Sequence, residues 1–314
     1  MKFHVADYQL RKKFSIDGYD DAVPDAEWKP DTDRDKNLGK RLPVGWSKFY
    51  YTLYPGRYEP AIVYRNLIRL ANYVAANPGM RAPCLEIEAE LIELTEETLI
   101  ERDGRKFVAS DYEHDRFDHV MAPGWVSSIQ NALVMRGLCR MQDVCPDKSR
   151  LKLIRELAGA YRIINTAEKR LERPWFSWID EDGYIWFDEY PTDESEPSRV
   201  LNGHIHAVYG LYYARRHLPW PWVERFLQGG LATLRAKTHC FQVTNNINRY
   251  DLRGGYKPDY NPQRTIRQQR ELARLTGDDY FDEMADIFAR DLAETDARRG
   301  DKKRGRTRIK EPPY

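Results

Sequence analysis

Three short segments of the chain gather residue types that can move protons. Trp186-Phe187-Asp188-Glu189-Tyr190-Pro191-Thr192 places two adjacent carboxylates and a tyrosine just before a proline, in a stretch rich in aromatic residues. Ser198-Arg199-Val200-Leu201-Asn202-Gly203-His204 sets a polar Asn-Gly pair at the opening of an apolar helical pattern. Tyr250-Asp251-Leu252-Arg253 is followed by Asp259-Tyr260-Asn261-Pro262. Glu189, Tyr190, Tyr250 and Tyr260 are candidate acids and bases, and Arg253 offers a fixed positive charge whose planar fork matches a carboxylate. An unperturbed tyrosine has a pKa of about 10, so to act as a base it needs a nearby cation. Arg253, three residues beyond Tyr250, is placed to be that cation. Each of these residues also has a structural reading. Glu189 can receive a backbone hydrogen bond in a turn, Arg253 can pair with Asp251 or Asp259, and Asn202-Gly203 can serve only as a helix entry, since Asn is a favoured N-cap.

The elements that would carry these residues are mostly helical. Residues 1 to about 45 read as a polar, extended arm. A helix is predicted from Pro60 to about Asn77, where Ile62, Leu67, Leu70, Tyr73 and Val74 recur at helical spacing before Asn77-Pro78-Gly79 stops the pattern. Residues 83–121 are mixed, and Glu101-Arg102-Asp103-Gly104-Arg105 carries the Asp-Gly signal of a hairpin turn. From Gly124 onward one amphipathic helix follows another. They are interrupted at about 174–198 by an aromatic loop with short strands at Trp175–Trp178 and Tyr184–Phe187, and they resume near 200–217, 220–237, 263–275 and 278–295. Such a series suits a mainly α fold, an (α/α) toroid or barrel or a plain bundle, with a smaller β-hairpin-containing N-terminal region. The predicted division is 1–119 for the arm, first helix and β-containing region, 120–295 for the helical catalytic region, and 296–314 for a loose basic tail.

Composition sets the outer limits. The chain has 314 residues, 41% of them hydrophobic and 32% charged, as in a globular protein. A net charge of +1 gives no global electrostatic reason to expect nucleic acid or a membrane surface as partner. Met1-Lys2-Phe3-His4-Val5-Ala6-Asp7 has no apolar signal region and no stretch is suited to a membrane span, so the expected location is cytoplasmic. Cys84, Cys139, Cys145 and Cys240 lack metal-ligand spacing and read as free thiols. His204 and His206, two apart on a helix, make a poor metal pair. No metal site or cofactor is implied, and a structural calcium ion in the β-region is left open. The cluster Trp175, Trp178 and Trp186 suits either stacking on sugar rings or a packed hydrophobic hairpin.

Taken in order and with their spacing, the three chemical segments resemble the C-terminal catalytic region of the glucuronyl C5-epimerase family. That family carries an acidic Glu-Tyr-Pro segment, a Val-Leu-Asn-Gly helix start, a Tyr-Asp-Leu-Arg segment and an Asp-Tyr before a late helix. Pro123-Gly124-Trp125-Val126-Ser127-Ser128-Ile129 adds a weaker match to a Pro-Trp-Ile-Ser helix start. The resemblance spans about 120–290. It implies an (α/α) toroid with added β-structure. It also implies removal of the C5 proton of a glucuronate in a glycan such as heparosan, then return of a proton to the other face to give iduronate. By resemblance, Glu189 and Tyr260 would work from opposite faces, assisted by Tyr250, with Tyr190 and Arg253 completing the catalytic set. Asn202, His204, Trp125, Asn131 and Trp186 would contact substrate. The implied partner is a uronate-containing oligo- or polysaccharide, and a homodimer is the default.

The chain departs from the family after Arg253. Gly254-Gly255 follows, Tyr260 comes only ten residues after Tyr250, and Asn261 and Arg264 stand at or near positions where family members have histidines. This loop shapes the substrate site, so the departure bears on which uronate glycan, or which nucleotide- or lipid-linked precursor, is used. Three alternatives share much of the residue set: a uronate lyase that expels the C4 substituent from the same carbanion, a toroid glycoside hydrolase, and a non-catalytic glycan-binding relative. The hydrolase needs two carboxylates flanking one bond, and adjacent Asp188 and Glu189 do not supply that spacing.

Overall fold

The structure is a computed structural model, and it describes residues 2–12, 14–16, 60–116, 119–193, 196–253 and 261–307. Eight α-helices lie among these residues: α1 (Pro60–Ala76), α2 (Arg81–Glu97), α3 (Ser128–Val144), α4 (Lys148–Ala160), α5 (Leu201–Ala214), α6 (Pro221–Lys237), α7 (Pro262–Thr276) and α8 (Asp279–Thr307). They form consecutive antiparallel pairs, and the first helices of successive pairs (α1, α3, α5 and α7) pack side by side. This is the expected mainly α, toroid-type architecture.

Local chemistry starts and stops these helices. Asp147 caps α4, its carboxylate accepting from the amides of Ser149 and Arg150 at 2.9 Å each. Pro221 opens α6, with Glu224 in its first turn and Arg235 and Lys237 in its last, charges that oppose the helix dipole at both ends. Asn261 caps α7 by accepting from Gln263 N at 3.0 Å, and Gly277 closes that helix in the left-handed conformation. Asn261 is therefore a helix-entry residue.

The inner helices approach closely where side chains vanish. A Cβ at Gly137 of α3 would meet Leu67 of α1 at 2.9 Å, and one at Gly210 of α5 would meet Ala132 of α3 at 2.8 Å. One apolar core runs from Leu10 to Phe288 and includes residues of α1 and α2 and the hairpin strand residue Phe107. The stretch before residue 119 thus shares a core with the helices after it, although the sequence divides the chain there. The basic stretch read as a loose tail from 296 begins as a continuation of α8 as far as Thr307. The described part of the N-terminal arm, residues 2–12 and 14–16, is a non-helical strap. It is pinned by His4 N to Gly183 O (2.9 Å), Ala6 N to Gln228 O (3.1 Å) and Arg11 N to Leu275 O (3.2 Å).

The β-structure is small and positions loops. Strands β1 (Leu99–Arg102) and β2 (Arg105–Ser110) form the expected hairpin, with Asp103 and Gly104 both at positive φ as a two-residue primed turn requires. Strand β3 (His114–Arg116) pairs with β4 (His119–Met121), and β5 (Trp125–Val126) joins the edge of β2. A third sheet follows α4: β6 (Ile164–Thr166) runs parallel to β7 (Ser177–Ile179), which pairs antiparallel with β8 (Ile185–Phe187). Trp175, Trp178 and Trp186 are buried in this hairpin, at 1–2% exposure, so they build the core and present no face to a sugar.

Candidate active site

The site begins where β8 ends. Asp188 is fully buried. Its carboxylate accepts from Ser198 N (3.2 Å), Ser198 Oγ and Arg199 N (3.3 Å), while its main chain bonds Phe176 O and Ser128 N. Half of the carboxylate pair is thereby spent tying the returning loop to α3 and β7. The tie holds Val200 at the start of α5 and sets Glu189 against that helix's first turn.

There the Asn-Gly pair acquires a spatial meaning. A Cβ on Gly203 would lie 2.7 Å from both Cβ and Oε2 of Glu189, so only glycine admits the glutamate at this position. The unpaired N–H groups of a first helical turn favour negative charge by about 0.3–1 kcal/mol. Next to it, Asn202 Oδ1 accepts from Gln268 Nε2 of α7 at 2.8 Å, which leaves the Asn202 NH2 as the available donor.

Two tyrosines complete the centre. Tyr250 is placed by Arg249 N to Phe241 O (2.8 Å) and Leu252 N to Ser198 O (3.2 Å). Its hydroxyl donates to Glu189 Oε1 at 3.2 Å and lies 3.0 Å from the hydroxyl of Tyr190. Because the Tyr250 proton goes to the carboxylate, Tyr190 is the donor in the second bond. The three groups are 5–7% exposed and form a short proton chain converging on Glu189. Burial, the Glu189 carboxylate and Tyr190 together drive the Tyr250 pKa far above 10. Tyr250 is therefore held as a neutral phenol.

A small aromatic cluster of Met121, Trp125, Tyr190, Val200 and Tyr250 walls this centre. His114 of β3 stacks on Tyr190, with centroids 5.3 Å apart and planes at 4°, and Trp125 packs on both rings while donating to Tyr112 O at 3.0 Å. Trp125 is thus beside the centre. His114 and Gln268 were not singled out in the sequence: a histidine in a three-residue strand and a glutamine within a helix carry no motif.

Four expectations change. Arg253 is exposed, donates to Glu196 O at 3.3 Å, and is not among the groups that shift Tyr250; the tyrosine's pKa is raised by burial and by the Glu189 carboxylate where a lowering by Arg253 was expected. His204 is a core clip, its Nδ1 accepting from Phe187 N (2.9 Å) and its Nε2 donating to Gly230 O (3.0 Å); burial drops its pKa to about 4. Asn131 spends its whole amide on backbone, accepting from Val108 N (2.7 Å) and donating to Lys106 O and Leu157 O (3.2 Å each). Trp186 is buried and donates to Asp180 at 2.9 Å. With every polar atom committed, His204, Asn131 and Trp186 are structural. Tyr260 lies outside the described residues. Among the described residues no group of three His, Cys, Asp or Glu side chains is arranged to hold a metal ion, and no helix is long and apolar enough to cross a membrane.

The family described as D-glucuronyl C5-epimerase C-terminus matches residues 103–290, more than half of the chain. No curated protein matches. Among solved structures, cellobiose 2-epimerase from Bacillus thermoamylovorans B4167 is similar over 74% of this chain and 59% of its own, with 12% identity and a TM-score of 0.52. That likeness concerns the fold, and the chain spans about three-fifths of that enzyme's length. A D-mannose isomerase aligns with 75% of this chain and 59% of its own at 11% identity and a TM-score of 0.47.

Proposed function

The chain belongs to the D-glucuronyl C5-epimerase C-terminal family of carbohydrate epimerases, and from that premise we propose that it inverts C5 of glucuronate residues in a uronate-containing glycan. The observation that carries this reading is the buried chain Tyr190–Tyr250–Glu189 at the mouth of α5.

A proton on the carbon next to a carboxylate is very weakly acidic, because removing it loads a second charge onto the carboxyl oxygens. Catalysis needs a base near the carbon, donors on the developing oxyanion, and an acid on the opposite face. Glu189, set at the helix terminus, is the base candidate. Tyr250 cannot be that base, since its environment holds it as a phenol; it steadies the carboxylate and lends a proton to the chain. The Asn202 amide, oriented by Gln268, is a donor for the uronate carboxylate. The second-face acid is assigned to Tyr260, by its place in the family motif. Arg253, at the rim on Glu196 O, is a substrate contact and has no part in tuning a tyrosine.

The test is NMR in D2O with glucuronate polymers, starting with heparosan. Deuterium at C5 with iduronate signals supports the reading, and its loss in Glu189→Gln and Tyr260→Phe supports both residues as proton-transfer groups. A 4,5-unsaturated uronate would make the protein a lyase, and no exchange on any uronate glycan would refute the proposed reaction.

A further inference from the structure

Away from the Glu189 centre, one concave surface carries more cations than carboxylates. A cavity of about 420 Å³ is lined by Arg102, Arg162, Lys169 and Asp103 over an apolar floor that includes Ile164 and Leu171. Arg102 is fixed by the main-chain carbonyls of Glu172 and Pro174, the latter at 3.3 Å, and lies 4.0 Å from Asp103. The Arg162 guanidinium sits over the Trp222 ring, 5.2 Å from its centroid, so one face is stacked while its N–H fork bonds no described residue. Lys169 likewise has no ion pair among the described residues. Three cations thus face one carboxylate, above aliphatic side chains. Such a lining suits a sugar acid, whose C–H face packs on the floor while its carboxylate meets the cations.

The groove is joined to the centre by an unbroken set of contacts. The segment that supplies the lining residues Lys169 and Leu171 also carries Arg173, which pairs with Asp193 (3.0 Å), and Arg170, which pairs with Glu196 (3.2 Å), both on the 193–199 loop. Arg253 donates to Glu196 O on the same loop, and Ser198 is held by Asp188, next to Glu189. The sheet register agrees. Ile164 is opposite Ser177 and Ser177 is opposite Phe187, so the groove's floor lies two strands, about 10 Å, from the residue that leads into Asp188-Glu189.

We propose that this groove is a second anion subsite, binding acid groups of the same uronate chain beyond the sugar that reacts; the inference rests on the uronate-glycan reading above. The test is calorimetry with oligosaccharides of alternating glucuronate and N-acetylglucosamine, from the disaccharide upward. Wild-type affinity is expected to rise with length. In Arg162→Glu/Lys169→Glu that gain should disappear, long chains binding about tenfold more weakly, while the shortest substrate exchanges its C5 proton as in wild type. A control with the same charge change on α8, Arg290→Glu/Arg298→Glu, should keep wild-type affinity. Arg162→Gln/Lys169→Gln, a milder change at two surface positions, should lose part of the gain. Equal binding of long chains by wild type and the groove variants, or equal loss in the α8 control, would overturn the subsite. Groove-dependent binding of long chains without any C5 exchange would support the subsite and refute the reaction, whereas C5 exchange together with long-chain binding that is indifferent to groove charge would do the reverse.

Discussion

Replacing Gly203 by alanine perturbs the centre without removing any acid, base or donor. The new Cβ would stand 2.7 Å from Glu189 Cβ and Oε2 and 3.2 Å from Cγ, whereas carbon atoms in contact sit about 3.5–4.0 Å apart. Relief requires the glutamate to move by most of an ångström. A misplacement of that size at a reacting group costs on the order of 10²-fold in rate. Stability should change less: overpacking costs about 1–3 kcal/mol, and alanine recovers up to about 1 kcal/mol of helix propensity over glycine. Gly210→Ala, two turns along the same helix, is the matched comparison. Its Cβ would meet Ala132 Cβ at 2.8 Å and Cα at 2.9 Å, and the backbone cannot yield. It should lower Tm while sparing the centre. The assay is deuterium incorporation at C5 per folded molecule, alongside thermal melts. Wild-type exchange in Gly203→Ala, or an equal fall in exchange in Gly210→Ala, would refute the positioning argument.

Tyr250→Phe removes the hydroxyl between Tyr190 and Glu189 and should slow C5 exchange by about 10²–10⁴-fold; single-turnover NMR reads this, and a loss under threefold would remove the phenol from the mechanism. His204 makes stability depend on pH. Its pKa falls to about 4 on folding from about 6.5 unfolded. The unfolded chain therefore binds more protons between those values, and stability is full above about 6.5 and lost as pH falls toward 4. Acidification from pH 7 to 5 should cost roughly 2 kcal/mol through this group; urea melts should show a shallower pH slope in His204→Gln, with buried His206, also shifted down, supplying the remainder. Asn131→Ala should destabilise by about 1–3 kcal/mol by stranding Val108 N and two carbonyls, with exchange per folded molecule unchanged; a rise in KM without a fall in Tm would restore it as a substrate contact.

The order of the helices other than α2, the Asp103-Gly104 turn and the two short aromatic strands were legible in the sequence, because period, caps and turn residues are properties of contiguous backbone; α2 (Arg81–Glu97) lies in the stretch that read as mixed. The segments containing Glu189, Asn202-Gly203 and Tyr250 were legible as chemistry because their residue types and order match a family pattern. What each polar side chain does within those segments was not. Asp188 and Glu189 are neighbours in sequence, yet one is consumed by Ser198 and Arg199 and the other faces Tyr250. His204 and Asn131 have the chemistry of ligand contacts, but partners 17 to 26 residues away take all of it. Arg253 is three residues from Tyr250, yet its guanidinium bonds a carbonyl 57 residues back. Sequence alone set which elements form and which segments could carry a proton-transfer reaction. Only the tertiary structure decided which groups remain available for it, because a hydrogen-bonding side chain near the core is committed by whatever distant backbone packs against it.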